Sequence, residues 1–303
     1  MRILVTGGAG FIGSWVAEEF LKKGHKVCII DNLSTGKEKN IPDGADFVKL
    51  DILSDRLEEL FREKKFDAVD HHAAQIDLRT SIDNPENDLK ANVLATLKLL
   101  HLCARYEVKK FIFASSGGAI YSEDLPFPSK EGREHFPPTP YGIHKLTSEK
   151  HLNFYSKYYG LNGIVLRYSN IYGPRQRATE ESGVVPIFIR QMLNKKEVRI
   201  FGDGKQTRDF LYVEDVVQAN VLALEKGGSG VFNISSGKET TVNQLFDILA
   251  ELTDYNRKPV YLPPRKGEVK RSLLDNRRAL DVLGFEPSYT IKEGLCRTVE
   301  SYK

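Results

Sequence analysis

Two side chains in this 303-residue chain have the types and spacing for acid–base chemistry. Tyr141 and Lys145 stand four residues apart in Pro140-Tyr-Gly-Ile-His-Lys145, a stretch that predicts the start of a helix. Residues four apart share a helical face, so both side chains can reach one site. An ammonium beside a phenol favours the phenolate, and a second positive charge close by would favour it further. A tyrosine so placed can act as a general base near neutral pH. The same spacing also arises by chance on many helices, so the pair takes its meaning from its company.

That company is the opening segment, Arg2-Ile-Leu-Val-Thr-Gly7-Gly-Ala-Gly10-Phe-Ile-Gly13. Its three glycines lie between a predicted strand and a predicted helix at the spacing G-x-x-G-x-x-G. The first allows a tight turn, the second admits a pyrophosphate close to the backbone, and the third lets helix and strand pack closely. The helix N-terminus then presents free N–H groups and the positive end of its dipole to the phosphates. The second predicted strand ends at Asp31, a carboxylate suited to accept hydrogen bonds from ribose hydroxyls. It would repel a 2′-phosphate, and no arginine follows at once to bind one, so NAD is favoured over NADP. The third strand ends at Asp51-Ile52, a position suited to the adenine.

These residues need a scaffold, and the hydrophobic pattern predicts one. Short apolar runs at 3–6, 26–31, 45–51, 68–72, 110–115 and 163–168 read as strands. Segments with helical spacing separate them, such as Trp15, Val16 and Phe20, or Leu89, Val93, Leu97 and Leu100. Near-continuously apolar strands alternating with helices predict an α/β, Rossmann-type doubly wound parallel sheet. After about residue 168 the rhythm changes to shorter elements between loops: helices at 184–193, 214–224 and 241–252, and extended pieces at 198–201, 230–235 and 259–264. The predicted organisation is an NAD-binding domain over 1–168 and a smaller, intertwined α/β substrate domain over 169–303, with part of 207–235 returning to the first.

Composition narrows the function classes. Lys+Arg 44 against Asp+Glu 41 leaves +3, and the excess forms no basic arm, so nothing favours nucleic acid as a partner. No apolar run approaches membrane-spanning length. Cys28, Cys103 and Cys296 are odd in number and far apart, as expected of reduced, buried thiols. With a strand at the very start in place of a leader, the expectation is a cytoplasmic protein.

The glycine loop and the tyrosine–lysine pair together resemble the extended short-chain dehydrogenase/reductases, most of all the UDP-glucose (UDP-galactose) 4-epimerase group. Further matching stretches follow in the family's order: Asp31-Asn-Leu, His72-Ala-Ala-Gln75, Asn92, Ser115-Ser-Gly-Gly-Ala-Ile-Tyr121, Arg167-Tyr-Ser-Asn170-Ile-Tyr-Gly-Pro-Arg, Phe201-Gly-Asp-Gly-Lys-Gln-Thr-Arg208-Asp, Tyr212-Val-Glu-Asp and Arg265-Lys-Gly-Glu268. The resemblance implies a UDP-sugar substrate and tightly held NAD, with no metal. Tyr141 would take the proton of the sugar 4-hydroxyl while C4 passes its hydride to NAD. Lys145 would orient the nicotinamide ribose. The tethered 4-keto sugar would then turn and be reduced from its other face.

By the same resemblance the cofactor residues are Gly7, Gly10, Phe11, Ile12, Gly13, Asp31, Asn32, Ser34, Thr35, Gly36, Asp51, Ile52, Ala73, Ala74, Gln75 and Asn92, with Tyr141 and Lys145. Asn170 stands near the sugar and diphosphate, Arg208 and Arg265 on the phosphates, Glu268 on the uridine ribose, and Val184, Ile200 and Phe201 near the uracil. Taken alone, each arginine would read as a solvated surface charge. The small Ser272 implies room for an N-acetyl group at the sugar C2.

The sequence departs from the family at one point. The family's usual catalytic Ser or Thr falls at Gly117, followed by Gly118, with Ser116 just before. Either the glycine pair admits the sugar to the backbone while Ser116 or a water replaces the hydroxyl, or a different turn brings Ser116 into place. Gly118 and Ala119 also lack the acid–base side chains of the related dehydratases and decarboxylases, which disfavours those reactions. The alternatives are a UDP-uronate 4-epimerase, another NAD-dependent nucleotide-sugar oxidoreductase, and an NAD-binding regulatory protein without turnover. Family members pair through two helices, for which 87–105 and 141–159 are the candidates, so a homodimer is expected. The second helix carries Phe154, Tyr155, Tyr158 and Tyr159, more aromatic surface than one core stripe needs.

Overall fold

The structure is a computed structural model, and it describes residues 1–122, 126–133, 135–179, 183–226, 228–265 and 269–303. Six strands, β1 (Arg2–Thr6), β2 (Lys26–Asp31), β3 (Asp46–Lys49), β4 (Ala68–His71), β5 (Lys110–Ser116) and β6 (Asn162–Tyr168), join a seventh, Gly230–Ile234, in one sheet. The spatial order is Gly230–Ile234, β6, β5, β4, β1, β2, β3, and every pairing is parallel. The order of connection reverses between β1 and β4, and their carboxyl ends form the crevice where such sheets take ligands.

Alternation along the strands sends side chains into two cores. Ile3 and Val5 of β1 face one side, with Val16 and Phe20 of helix α1 (Phe11–Lys22), Ile112, Leu166 and Val216. Leu4 faces the other, with Leu57 and Phe61 of helix α2 (Arg56–Lys64), Leu99, Phe111, Phe113 and Leu152. Helices thus cover both faces, as the apolar strands require. A third core, built on Phe188, Ile189, Val198, Ile200, Leu245, Leu249 and Leu295, holds the second half together.

Two differences from the sequence reading bear on the site. The helix expected over 87–105 spans 85–105 and contains a π-helical turn at Lys90–Leu94. Strand β3 covers only Asp46–Lys49, because beyond it Asp51 folds into a turn and its carboxylate accepts the Leu53 N–H at 2.9 Å. The seventh strand belongs to 207–235 and lies against β6 at the sheet edge.

Candidate active site

The glycine loop is a close joint between β1 and α1. The Gly7 N–H donates to the Ile30 carbonyl at 2.8 Å, and the Gly10 N–H to the Gly7 carbonyl at 3.0 Å. A Cβ on Gly13 would sit 2.5 Å from the Gly7 carbonyl oxygen, so only glycine lets the helix start this near the strand. Gly10 caps α1 without a side-chain hydrogen bond, which leaves the first-turn N–H groups available to an anion. Phe11 and Ile12 open that helix.

Asp31, buried at the end of β2, accepts the Ala9 N–H at 3.1 Å and the Leu33 N–H at 2.8 Å. The loop that carries Ser34, Thr35 and Gly36 is pinned back on the glycine loop, where the Lys37 N–H and the Asn40 Nδ2 both reach the Ala9 carbonyl. Asn32 Nδ2 donates to Asp51 at 2.8 Å, and Ile52 is buried beside that pair. From the neighbouring strand, the Ala73 N–H donates to Thr6 Oγ1 at 3.1 Å, placing Ala73, Ala74 and Gln75 across the crevice.

The helix Pro140–Tyr159 is started by Thr139, whose hydroxyl caps the Gly142 N–H, and by proline at its first position. Both devices stabilise a helix start. Tyr141 and Lys145 point inward and are almost fully buried. Lys145 Nζ donates to the Ala114 carbonyl at 2.9 Å and lies 5.9 Å from the Tyr141 ring centroid and 4.8 Å from that of Phe113. Burial pulls the Lys145 ammonium down to about 8, opposed by the charges of Asp88 and Glu149. Burial pushes the Tyr141 phenol well up, Asp88 adds to this, and a hydrogen bond from Ser116 opposes it.

Ser116 is the last residue of β5, and its hydroxyl is the neighbour that eases ionisation of the Tyr141 phenol. At Gly117 the Leu274 side chain occupies the space a Cβ would need, 2.5 Å away. Gly118 faces open space.

Buried charge behind the Tyr141–Lys145 pair supports the helix. Glu149 receives both Arg167 Nε at 2.9 Å and Nη2 at 2.6 Å, together with the Ser115 hydroxyl at 2.6 Å. Arg167 Nη1 also reaches Tyr121, whose hydroxyl donates to Asn233 at 2.8 Å. The motifs that contain Arg167 were visible in the sequence, but its pairing with Glu149 was not. An arginine within an otherwise apolar strand was the one available signal.

The residues expected to meet the sugar nucleotide fall in the second half of the chain. Asn170 pairs beside Phe210, and its Oδ1 is buried with no hydrogen-bond partner among the described residues, as is Ser169 Oγ. The Arg265 guanidinium stacks 3.8 Å from the Phe201 ring centroid. Arg208 Nη1 donates to the Thr207 carbonyl at 2.8 Å. Val184 begins a helix, Ile200 points into the third core, and Ser272 is buried with its N–H on the Thr207 carbonyl. Glu268 lies outside the described residues. Arg175 and Arg177, to which the sequence reading gave no role, tie this half to the cradle through Ser14 Oγ at 3.2 Å and the Thr35 carbonyl at 3.5 Å. Among the described residues, no group of acidic, histidine and cysteine side chains has a metal-binding arrangement. No helix among them is long and apolar enough to cross a membrane.

The model of the NAD dependent epimerase/dehydratase family matches residues 3–235. The chain belongs to this family. A putative UDP-glucose 4-epimerase of Methanocaldococcus jannaschii is 44% identical over 99% of this chain and 98% of its own length. The crystal structure of a UDP-glucose 4-epimerase from Thermotoga maritima with UDP-glucose superposes with a TM-score of 0.98, at 49% identity, covering 100% of this chain and 98% of that one. A UDP-glucose 4-epimerase from Thermus thermophilus in complex with NAD does so at 0.93 and 38%, covering 100% and 99%. The site of this family member fits the dinucleotide on its own terms. The uncapped helix start suits the pyrophosphate, the carboxylate of Asp31 suits ribose hydroxyls, and Asn92 Oδ1 is buried without a partner among the described residues.

Proposed function

We propose that this chain is a UDP-glucose 4-epimerase that interconverts UDP-galactose and UDP-glucose with retained NAD. What supports the reading is the buried pairing of Tyr141 and Lys145 on one face of the helix Pro140–Tyr159, with Lys145 Nζ on the Ala114 carbonyl of β5 at 2.9 Å and 5.9 Å from the Tyr141 ring centroid, at the end of the strand that carries Ser116. NAD, when bound, supplies the oxidation and re-reduction of the sugar C4. The glycine loop and α1 hold its phosphates, Asp31 takes the adenosine ribose, and Asn32, Ser34, Thr35, Gly36, Asp51 and Ile52 enclose the adenine end. Ala73, Ala74, Gln75 and Asn92 line the other side.

Tyr141 accepts the proton of the 4-hydroxyl and later returns it, so no proton is gained or lost over the cycle. Ser116 donates to the phenol oxygen and stabilises its ionised form. Lys145 keeps positive charge against the same oxygen and has N–H groups left for ribose hydroxyls once Ala114 is satisfied. Arg208 and Arg265 suit the diphosphate, since planar guanidinium donors match phosphate oxygens. Asn170 faces the sugar and diphosphate, while Phe201 and Val184 form the uracil end, with Ile200 packed behind them in the third core, and Glu268 on its ribose. The small Ser272, behind Thr207, gives the pocket its tolerance of UDP-N-acetylhexosamines.

We also assign the protein to the cytoplasm, where three free cysteines, two of them buried, stay reduced. It forms a homodimer through the helices 85–105 and Pro140–Tyr159.

The test is UDP-galactose given to purified protein without added NAD, with UDP-glucose read by anion-exchange chromatography. Turnover is expected, and Tyr141→Phe should lower kcat by about 10²–10⁴-fold with little change in KM. No turnover even after NAD is supplied would overturn the reading.

A further inference from the structure

Arg175 holds a backbone conformation that residues other than glycine rarely adopt, with φ at 70°. Such a conformation persists where the surrounding contacts over-determine it, and the side-chain contacts of Arg175 all fall on α1. Its guanidinium lies 4.3 Å from the Trp15 ring centroid, Nη1 donates to Ser14 Oγ at 3.2 Å, and Nη2 pairs with Glu18. The Trp15 indole N–H in turn donates to the Pro174 carbonyl at 3.0 Å. Two residues on, Arg177 Nη1 reaches the Thr35 carbonyl at 3.5 Å.

Residues 173–177 therefore form a strap. It leaves the strand Asn170–Tyr172, touches α1 at Ser14, Trp15 and Glu18, and reaches the loop of Ser34, Thr35 and Gly36. Its other edge belongs to the second half of the chain. Gln176 Nε2 donates to the Ile171 carbonyl at 3.2 Å, and the Tyr302 hydroxyl to the Gln176 carbonyl at 2.6 Å. The two anchors of the strap are the two elements assigned above to the phosphates and the adenosine end of NAD. Ser14 Oγ, which receives Arg175, itself donates to the Phe11 carbonyl at 3.1 Å, so the clasp lies one hydrogen bond from the helix start that suits the pyrophosphate.

We propose that Arg175 is a positioning residue for the cofactor: its clasp on Ser14, Trp15 and Glu18 holds the strap against α1 and blocks the exit of NAD, so that the nucleotide stays bound between turnovers. This rests on the reading of the site as one that retains NAD. For the nucleotide to leave, a ring stack, a hydrogen bond and an ion pair must open together, so the clasp acts on the rate of release.

The chain has one tryptophan, and it sits in the clasp, so Trp15 emission reads the strap directly. The NAD-loaded parent is compared with Arg175→Gly and Arg175→Lys. Glycine keeps the left-handed backbone without steric cost and deletes only the guanidinium, while lysine keeps the charge without the planar fork. Exchange of bound NAD for excess radiolabelled NAD should be slow in the parent, about tenfold faster in the Gly variant and intermediate in the Lys variant. Trp15 emission of the Gly variant should move to longer wavelength as water reaches the ring, and excess NAD should restore its turnover of UDP-galactose. Exchange at the parental rate despite shifted emission, or faster exchange with emission unmoved, would overturn the proposal. Glu18→Gln opens the same clasp from the helix side and repeats the test should the Gly variant not fold. A parent that exchanges NAD freely would overturn the proposal whatever its turnover, whereas a parent that retains NAD without turnover would sink the epimerase reading and leave the exchange rates to decide the role of Arg175.

Discussion

At Gly117 the Leu274 side chain fills the space a side chain would need, and we propose that its neighbour Ser116 supplies the hydroxyl. Gly117→Ser should therefore destabilise the fold by about 1–3 kcal/mol through overpacking and leave kcat no higher. Adding Leu274→Ala should relieve the clash and return part of the stability, as read by urea unfolding. The Gly118→Ala change meets open space and should be close to neutral. Lys145 carries a different cost. Its ammonium is held near 8 in the folded protein against an ordinary value of 10.5, so at neutral pH the unfolded chain solvates that charge better. The unfolded state binds more protons between these values, and stability rises with pH across that window. Lys145→Met should abolish turnover yet stabilise the apo protein at pH 7, by on the order of 2 kcal/mol. That gain should shrink as pH approaches 10, and urea midpoints at pH 7, 8.5 and 10 would check it.

At the scale of elements, the joint between β1 and α1 was the most legible feature of the sequence, because its determinants are local: apolar alternation, three glycines and a helical run in 20 residues. Its closeness makes a sharp prediction. Gly13→Ala would drive a methyl onto the Gly7 carbonyl, part the helix from the strand and release NAD, measured as nucleotide freed from the purified protein on denaturation. The helix Pro140–Tyr159 was equally legible, since Thr139, Pro140 and the Tyr–Lys spacing lie within one stretch. The π turn was not. Residues 87–105 carry an ordinary helical pattern, and the extra residue in that turn accompanies contacts made by Asn92 to Ser148, which is 56 positions away.

For the whole molecule, the outer face of the helix Pro140–Tyr159 exposes Phe154 at 46%, Tyr158 at 64% and Tyr159 at 59%, and the adjoining helix exposes Leu94. The aromatic rings pack on one another, Phe154 on Tyr158 at 4.9 Å and Tyr155 on Tyr159 at 5.0 Å, forming a preassembled apolar surface of the kind enriched at interfaces. The parent should sediment as a dimer in analytical ultracentrifugation. Joint replacement of Phe154 and Tyr158 by Glu should give a monomer, since neither side chain contributes to the cores. A monomeric parent would remove the dimer proposal.

The sequence by itself determined the parallel α/β sheet, the phosphate loop and the Tyr141–Lys145 face, because each is written in residues close enough for periodicity and turn chemistry to set them. Its motifs also marked Asn170, Arg208 and Arg265. Only the tertiary structure decided what fills the space beside Gly117 and which buried charges pair around the helix that carries Tyr141 and Lys145. Those answers depend on Leu274, Glu149, Arg167, Asp88 and His144, which the strand order brings together from distant segments. A buried charge leaves no periodic trace in the sequence, and its partners are known only once the chain has folded around it.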